Sequence, residues 1–449
     1  MTSIFGHNIR SDLIGLYAAE ALAVFLAAYS ILTWGLDGTA VLGDAQLGLV
    51  AAMLAVCSGL VLGASGLYQP EVLTRARRLA TGSAVAMLLL LIAAWLCLRI
   101  IGPVGLSTPG LVAALAVGAV AGAISARFCY AIASRIGLPK RRLLIIRDPA
   151  DPSPAAGQSE GKGAQLRTLE VCVADASGGG LAQAFGCEWL RAQNIWAIVA
   201  PGSAVDDTLR QHCRSAGVRL LSEDEFLECR LNRVAFDRLP QDWLSRARST
   251  RPNRVEAALR RGFDIVVALA LLLFTLPVML VTALLVRLDS KGPVFYRQER
   301  SGLHRRSFTL YKFRSMVVDA EAGGTPRWAT PGDPRVTPFG RLIRLTRIDE
   351  LPQLLNVLRG DMALVGPRPE RPGFVQQLGD IIPHYHDRAS VKPGITGWAQ
   401  VNYPYGASVE DARMKLAYDL YYVARRSLFL DLLILVATVR VVLFQEGAR

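Results

Sequence analysis

The sequence predicts a multi-domain membrane protein built in three parts. These are a four-helix transmembrane bundle over 1–135, a doubly wound α/β domain over 136–248, and an α/β core over 249–449. The core opens with a helix that dips into the membrane and returns. Three observations lead to this reading. Four apolar stretches of spanning length come first. Short apolar runs of strand type, separated by helix-like segments, follow them. A fifth long apolar stretch then carries positive charge on both flanks and a proline near its middle.

The composition agrees. Of 449 residues, 52% are hydrophobic and 19% charged, and the formal net charge is +13. Mean hydropathy is +0.31. An apolar chain with a basic balance suits a membrane protein whose soluble parts meet anions. The seven cysteines are scattered and no CxxC occurs, which argues against a structural zinc or a disulfide framework. The polar start runs directly into a full-length apolar segment containing Glu20, which is not a cleavable-signal pattern.

The first four apolar stretches cover about 13–34, 46–68, 83–101 and 110–133. Each is long enough for a hydrocarbon core, which needs roughly 20 helical residues. Arg75, Arg77 and Arg78 follow the second stretch, and Arg135, Lys140, Arg141 and Arg142 follow the fourth. The other loops carry Asp37 and Asp44 or no charge. Positive loops stay cytoplasmic, so both ends of the bundle are expected on that side. Glu20 is expected to point into the bundle, because an ionisable group facing lipid is costly.

Leu143–Ile146, Leu169–Val173 and Ile195–Ala200 read as strands of a small Rossmann-like domain. The first is followed by Arg147-Asp148-Pro149-Ala150-Asp151-Pro152 instead of a glycine-rich turn. The close backbone approach that a pyrophosphate needs is therefore absent, and a regulatory or dimerising spacer is the preferred reading. The stretch from Asp148 to Gly163 is rich in Pro, Gly, Ser and Ala and reads as a loop.

Phe263–Val286 is long enough to span. Yet Arg254, Arg260 and Arg261 precede it, and Arg287, Lys291, Arg297 and Arg300 follow it. Charge on both flanks argues that both ends stay on one side. Pro277 removes a backbone hydrogen bond, so a helix that enters, kinks there and returns satisfies both facts. The C-terminal segment Leu428–Phe444, apolar but interrupted by Asp431 and Arg440, suits a helix lying in the interface.

Thirteen Lys or Arg residues against five acids fill 287–347. Such a stretch can bind anionic membrane lipids, clamp substrate phosphates, or both. It leads into Arg347-Ile348-Asp349-Glu350-Leu351-Pro352-Gln353, whose leucines continue at helical spacing. Two readings stay open from spacing alone. Asp349 and Glu350 are an N-cap and a first-turn acid, or they are a nucleophile and Mg²⁺ site beside a basic cluster. In Gly366-Pro367-Arg368-Pro369, two prolines rigidify the backbone around one guanidinium, as a fixed phosphate contact requires. His384 and His386 have no third ligand at a suitable spacing and read as structural or solvated. No recognition fold or aromatic-basic interleaving accompanies the charge, so nucleic acid is not expected as a partner.

These motifs resemble the bacterial sugar transferase family, the monotopic phosphoglycosyl transferases. The likeness covers about 254–449 and rests on Lys312-Phe313-Arg314-Ser315-Met316, Asp349-Glu350-Leu351-Pro352-Gln353, Gly360-Asp361-Met362, Gly366-Pro367-Arg368-Pro369 and Lys392-Pro393-Gly394-Ile395-Thr396-Gly397-Trp398. The N-terminal half resembles the family's larger members by layout only. The resemblance implies transfer of a sugar-1-phosphate from a UDP-sugar to undecaprenyl phosphate, with release of UMP. Asp349 would be the nucleophile and would hold Mg²⁺, with Glu350 as its dyad partner. Lys312, Arg314 and Arg368 would bind phosphate, and the loop containing Pro367 and Pro369 would face the nucleotide. It also implies a homodimer and a bacterial inner-membrane enzyme with its catalytic domain on the cytoplasmic face. Two alternatives are a glycosyltransferase that releases UDP and a non-catalytic scaffold of polysaccharide assembly. The sugar itself is not legible.

Overall fold

A computed structural model describes residues 2–4, 7–9, 11–35, 44–67, 76–101, 108–136, 142–147, 167–172, 186–200, 205, 207–222, 224–226, 228, 232–234, 239, 243–244, 254–318, 333–403, 406 and 408–444. The side chains of Arg75, Arg77, Arg78, Arg135, Lys140 and Arg141, and the loop from Asp148 to Gly163, lie outside that description. Two compact units are present, one running essentially to Asn232 and the other from Arg233 to Arg449.

In the first unit, short strands β1 (Thr2–Ile4) and β2 (His7–Ile9) pair with each other. Four apolar helices follow: α1 (Ser11–Gly35), α2 (Asp44–Ala64), α3 (Ala76–Ile101) and α4 (Pro109–Ile136). Each contains a stretch long and apolar enough to cross a bilayer. Their shared core holds Val24, Leu54, Leu90 and Leu115, while Leu22, Leu88 and Phe128 face outward. A helix apolar all round suits lipid outside and close packing inside. Glu20 is 1% exposed and accepts a hydrogen bond from Arg127 Nε across α1 and α4. The same guanidinium donates to the Leu67 carbonyl at 3.2 Å. The carboxylate is thus buried between these helices with a cationic partner, as its cost outside water demands.

The α/β part of this unit is a four-stranded sheet, order β4-β3-β5-β6, from β3 (Arg142–Arg147), β4 (Arg167–Cys172), β5 (Ile195–Val199) and β6 (Arg219–Leu221). All three strand pairings are parallel. Helices α5 (Cys187–Ala192) and α6 (Asp207–Ala216) accompany the sheet. Leu144, Ile146 and Ile198 pack in one cluster and Leu143, Ile145 and Ala197 in another. A central parallel strand buried on both faces must read as a continuous apolar run, and Leu143–Ile146 does. The short β6 carries Arg219 in its three residues, so its apolar signal is weak.

The second unit begins on α7 (Arg254–Asp289), a helix of 36 residues. The helix runs on through Pro277, the position at which a kink was expected. Thr275 Oγ1 donates to the Leu271 carbonyl at 2.7 Å, one turn back. One face of α7 is buried along its length through Arg260, Ala268, Met279, Thr282 and Val286. The other presents Val266, Phe274 (84% exposed), Leu280 and Leu288. Both ends are tied to this one unit. Arg261 donates to the Val357 and Leu358 carbonyls, and Asp264 Oδ1 accepts from Leu364 N. At the far end, Arg314 donates to the carbonyls of Val286, Ser290 and Lys291.

Beyond α7 come the antiparallel hairpin β7 (Phe295–Ser301) and β8 (Ser307–Phe313), then α8 (Pro338–Leu345). A 3-10 turn over Ile348–Gln353 leads into α9 (Leu354–Arg359). Strands β9 (Ala363–Val365) and β10 (Gly394–Thr396) pair in parallel. The remaining helices are α10 (Pro372–Ile381), α11 (Trp398–Asn402), α12 (Val409–Arg425) and α13 (Leu428–Leu443). Leu354, Met362, Leu364, Leu420 and Tyr422 centre the core, which also takes in Val234 and Trp243. Helix α13 buries Asp431 against Arg260 at 2.7 Å and leaves Leu432, Leu433 and Val439 exposed.

Candidate active site

The Asp-Glu pair sits on the 3-10 turn, not at an α-helix N-cap. Arg347 precedes it at φ 58°, a left-handed conformation that turns the chain sharply out of α8. A non-glycine residue there is uncommon and marks a position fixed by its surroundings. The tight turn buries both Asp349 and Glu350, each 7% exposed.

The two carboxylates are treated differently. Glu350 Oε1 accepts from Lys312 Nζ at 2.8 Å and from Arg368 Nη2 at 3.0 Å, with Arg347 Nη1 at 3.7 Å. Asp349 has no side-chain hydrogen bond or ion pair among the described residues, so its oxygens are open to a reactant. Burial alone would raise the Glu350 pKa, but Lys312, Arg368 and Arg347 outweigh it and hold the carboxyl well below its usual range. Burial pushes the Asp349 carboxyl above its usual range, Lys312 pulls it back in part, and Glu350 adds to the rise. Burial lowers the Lys312 ammonium despite the attraction of Glu350. Two neighbouring carboxylates pushed in opposite directions are what distinct acid-base roles require.

The supporting elements explain the placement. Asn356, wholly buried on α9, donates to the Thr309 carbonyl at 2.7 Å and accepts from Tyr311 N at 3.2 Å. One amide therefore stitches α9 to β8 and fixes Lys312 beside the turn. On the other side, Arg388 donates to the Arg368 carbonyl at 3.1 Å, to Asp419 Oδ2 at 2.7 Å and to Tyr385 Oη at 2.9 Å. Arg300 donates to the Pro369 carbonyl at 2.9 Å. Pro367, Pro369 and the backbone of Arg368 are thus held at three points, since the Pro367 carbonyl also accepts from Gly394 N at 3.0 Å. Arg368, Pro369, Tyr385, His386 and Ser301 line a shallow cleft.

Of the predicted residues, Lys312, Arg368, Asp349 and Glu350 come together. Arg314 does not. Its guanidinium is spent on the carbonyls after α7 and on Ser290 Oγ at 3.0 Å, so it pins that helix instead of meeting phosphate. Pro277 lies in α7, away from this cluster. His384 Nδ1 lies 3.0 Å from Asp387 Oδ2, which also accepts from Trp243 Nε1 at 2.8 Å. That is a structural arrangement. Sequence reading missed Arg347, Asn356, Arg388 and Asp419. Arg347 lies two residues before Asp349 and could have been found from that alone; Asn356 follows on the next helix with nothing local to mark its role, and Arg388 and Asp419 lie far along the chain.

Among the described residues no group of three His, Cys, Asp or Glu could hold a metal. The open Asp349 carboxylate is a hard oxygen donor of the kind Mg²⁺ accepts, and Mg²⁺ commonly completes its shell with water and substrate phosphate. The residues fit that mode and no all-protein cage.

Residues 255–445 match the family described as bacterial sugar transferase. A UDP-N-acetylgalactosamine-undecaprenyl-phosphate N-acetylgalactosaminephosphotransferase of Aeromonas hydrophila is 44% identical over 237 residues, 53% of this chain and 55% of that protein. This chain therefore spans about half the length of that relative. An uncharacterised sugar transferase of Bacillus subtilis is 48% identical over 195 residues, 42% of this chain and 90% of that protein. A UDP-glucose:undecaprenyl-phosphate glucose-1-phosphate transferase of Xanthomonas campestris is 46% identical over 187 residues, 41% of this chain and 39% of that protein. The stretches that match hold the acidic pair and the arginine loop, and the Bacillus protein is matched over nearly its whole length: this chain belongs to the bacterial sugar transferase family.

Proposed function

We propose that the protein transfers a sugar-1-phosphate from a UDP-sugar to undecaprenyl phosphate, releasing UMP, through a covalent intermediate on Asp349. The carrying observation is the division of labour within the acidic pair: Glu350 is locked by Lys312, Arg368 and Arg347, and Asp349 is buried, adjacent and open.

An Asp349 carboxylate oxygen attacks the β-phosphorus of the donor. The bond from the β-phosphorus to the bridging oxygen breaks, UMP leaves with that oxygen on its own phosphorus, and an acyl phosphate carrying the sugar remains. An oxygen of the lipid phosphate then attacks the same phosphorus, the acyl P–O bond breaks, and Asp349 is restored. The protein's part is positioning and charge neutralisation. Lys312 and Arg368 flank the dyad where phosphate charge must be met, and Glu350 Oε1 accepts from both and orients them. The proline-bracketed Arg368 loop and its cleft offer a rigid seat on the nucleotide side. Mg²⁺ held by Asp349 would neutralise donor phosphate charge.

The bonds at both ends of α7 support a helix that enters and leaves on one side. Threading it across a bilayer would carry Arg261 and Val286 to opposite faces, although both contact the same unit. That arrangement suits a cytoplasmic donor meeting a lipid phosphate at headgroup level.

The test is incubation of purified protein with UDP-sugars and polyprenyl phosphate. UMP is expected as the leaving nucleotide, and Asp349→Asn is expected to release none and to form no sugar-phosphate adduct detectable by intact mass. Release of UDP, or turnover by the Asp349→Asn variant, would overturn the reading.

A further inference from the structure

A second cluster of cations lies at the start of α7. Arg261 Nη2 and Lys392 Nζ both approach Gly360, to 3.4 Å and 3.6 Å of the point where a Cβ would stand. Gly360 caps α9 at φ 94°, so it supplies the left-handed turn and leaves that space open. Arg426, the C-cap of α12, acts electrostatically on both Lys392 and Asp264, and its Nε is buried without a hydrogen-bond partner. Lys392 likewise has no hydrogen bond or ion pair among the described residues. Burial, with Arg261 and Arg426 adding, lowers its ammonium pKa, the mark of a cation short of counter-charge.

The acids nearby are committed elsewhere. Asp264 accepts from Leu364 N, and Asp361 stands 3.5 Å from the Asn356 amide. Arg261 is only partly engaged, giving two N–H groups to the carbonyls that end α9. Among the described residues two of these three cations have no hydrogen-bonded or ion-pair partner, and the acids that reach them are Asp264, Asp361 and, for Arg426, Asp431, which is itself paired with Arg260. The cluster is not the Lys312 and Arg368 site. Roughly eight residues of 3-10 and α-helix, on the order of 13 Å, separate Glu350 from the carbonyls that Arg261 holds.

Its position names the chemistry. Arg261 opens the apolar part of α7, and Arg426 stands just before α13. Both helices expose leucines and valines from that point on, and Arg260–Asp431 pins them together there. Cations at the common start of two outward-facing apolar helices lie at headgroup depth. We propose that Arg261, Lys392 and Arg426 form a binding site for the phosphate of an anionic membrane lipid, distinct from the acidic-pair site. It anchors α7 and α13 at a fixed depth.

The test uses the full-length chain in detergent and native mass spectrometry with added phosphatidylglycerol. One saturable lipid is expected on the wild type. Lys392→Gln and Arg426→Gln should each weaken it roughly tenfold, the scale of one charge-assisted phosphate contact. Lys392→Arg should retain it, as should Arg341→Gln, which removes an equal charge from an exposed position. Thermal unfolding of each lipid-free variant separates lost binding from lost folding. Undiminished binding by folded Lys392→Gln and Arg426→Gln overturns the proposal, as does an equal loss in Arg341→Gln. Displacement of the lipid by inorganic phosphate would overturn the lipid assignment in favour of a soluble phosphate ligand.

Discussion

Replacing Arg388 by Met tests the claim that the Arg368 loop is held from behind. The side chain of Arg388 is 11% exposed and that of Asp419 is 2% exposed, 2.7 Å apart. Met keeps the stem's bulk but strands a carboxylate in the core and frees the Arg368 carbonyl. Breaking one side of a buried pair costs about 3–5 kcal/mol. In a unit of this size each kcal/mol lowers the midpoint by about 2–4 °C, so a fall of about 6–20 °C is expected. Tryptophan fluorescence during heating of the detergent-solubilised chain measures it. Arg388→Met with Asp419→Leu removes both charges and should recover at least half the loss, because the penalty is the unpaired acid and not the missing bond. A loss under about 2 °C in the single variant, or strict additivity in the double, would refute the reasoning.

Lys312→Gln should raise the acid limb of the pH–rate profile. Lys312 holds the Asp349 pKa down, so without it the nucleophile becomes protonated at higher pH and activity falls earlier on acidification; an unmoved limb in a UMP-release assay would count against Asp349 as the titrating group. Gly366→Ala should cost about 1–3 kcal/mol, read as a lowered thermal midpoint. The new Cβ would lie 2.3 Å from the Lys392 carbonyl oxygen and 2.8 Å from Gly394 N, backbone atoms that cannot turn aside.

Much of this architecture is written locally. Leu143–Ile146 had to be a strand because a central parallel strand shows apolar side chains to both faces. The acidic pair, Lys312 and Arg368 were legible because their motifs are contiguous. Arg314 misled for an instructive reason. It shares a five-residue motif with Lys312, yet the strand ends at Phe313 and the chain turns, so the two cations reach different partners. Arg388 and Asp419 were invisible because a buried ion pair between the 3-10 turn Tyr385–Ser390 and α12 is set by tertiary packing alone. The proline in α7 must lose a backbone bond, and one lost bond interrupts the ladder without ending the helix.

The ties that hold α7 also set an order of events. Arg260 finds its partner Asp431 only 171 residues further along the chain, and Asp264 meets Leu364 after 100. At a synthesis rate of about 5–20 residues per second, the oily flank is therefore exposed for roughly 10–30 s before its last clasp exists. During that interval lipid or a chaperone must shield what the finished fold will later hold in place. Shielding of that flank thus precedes maturation of the candidate site.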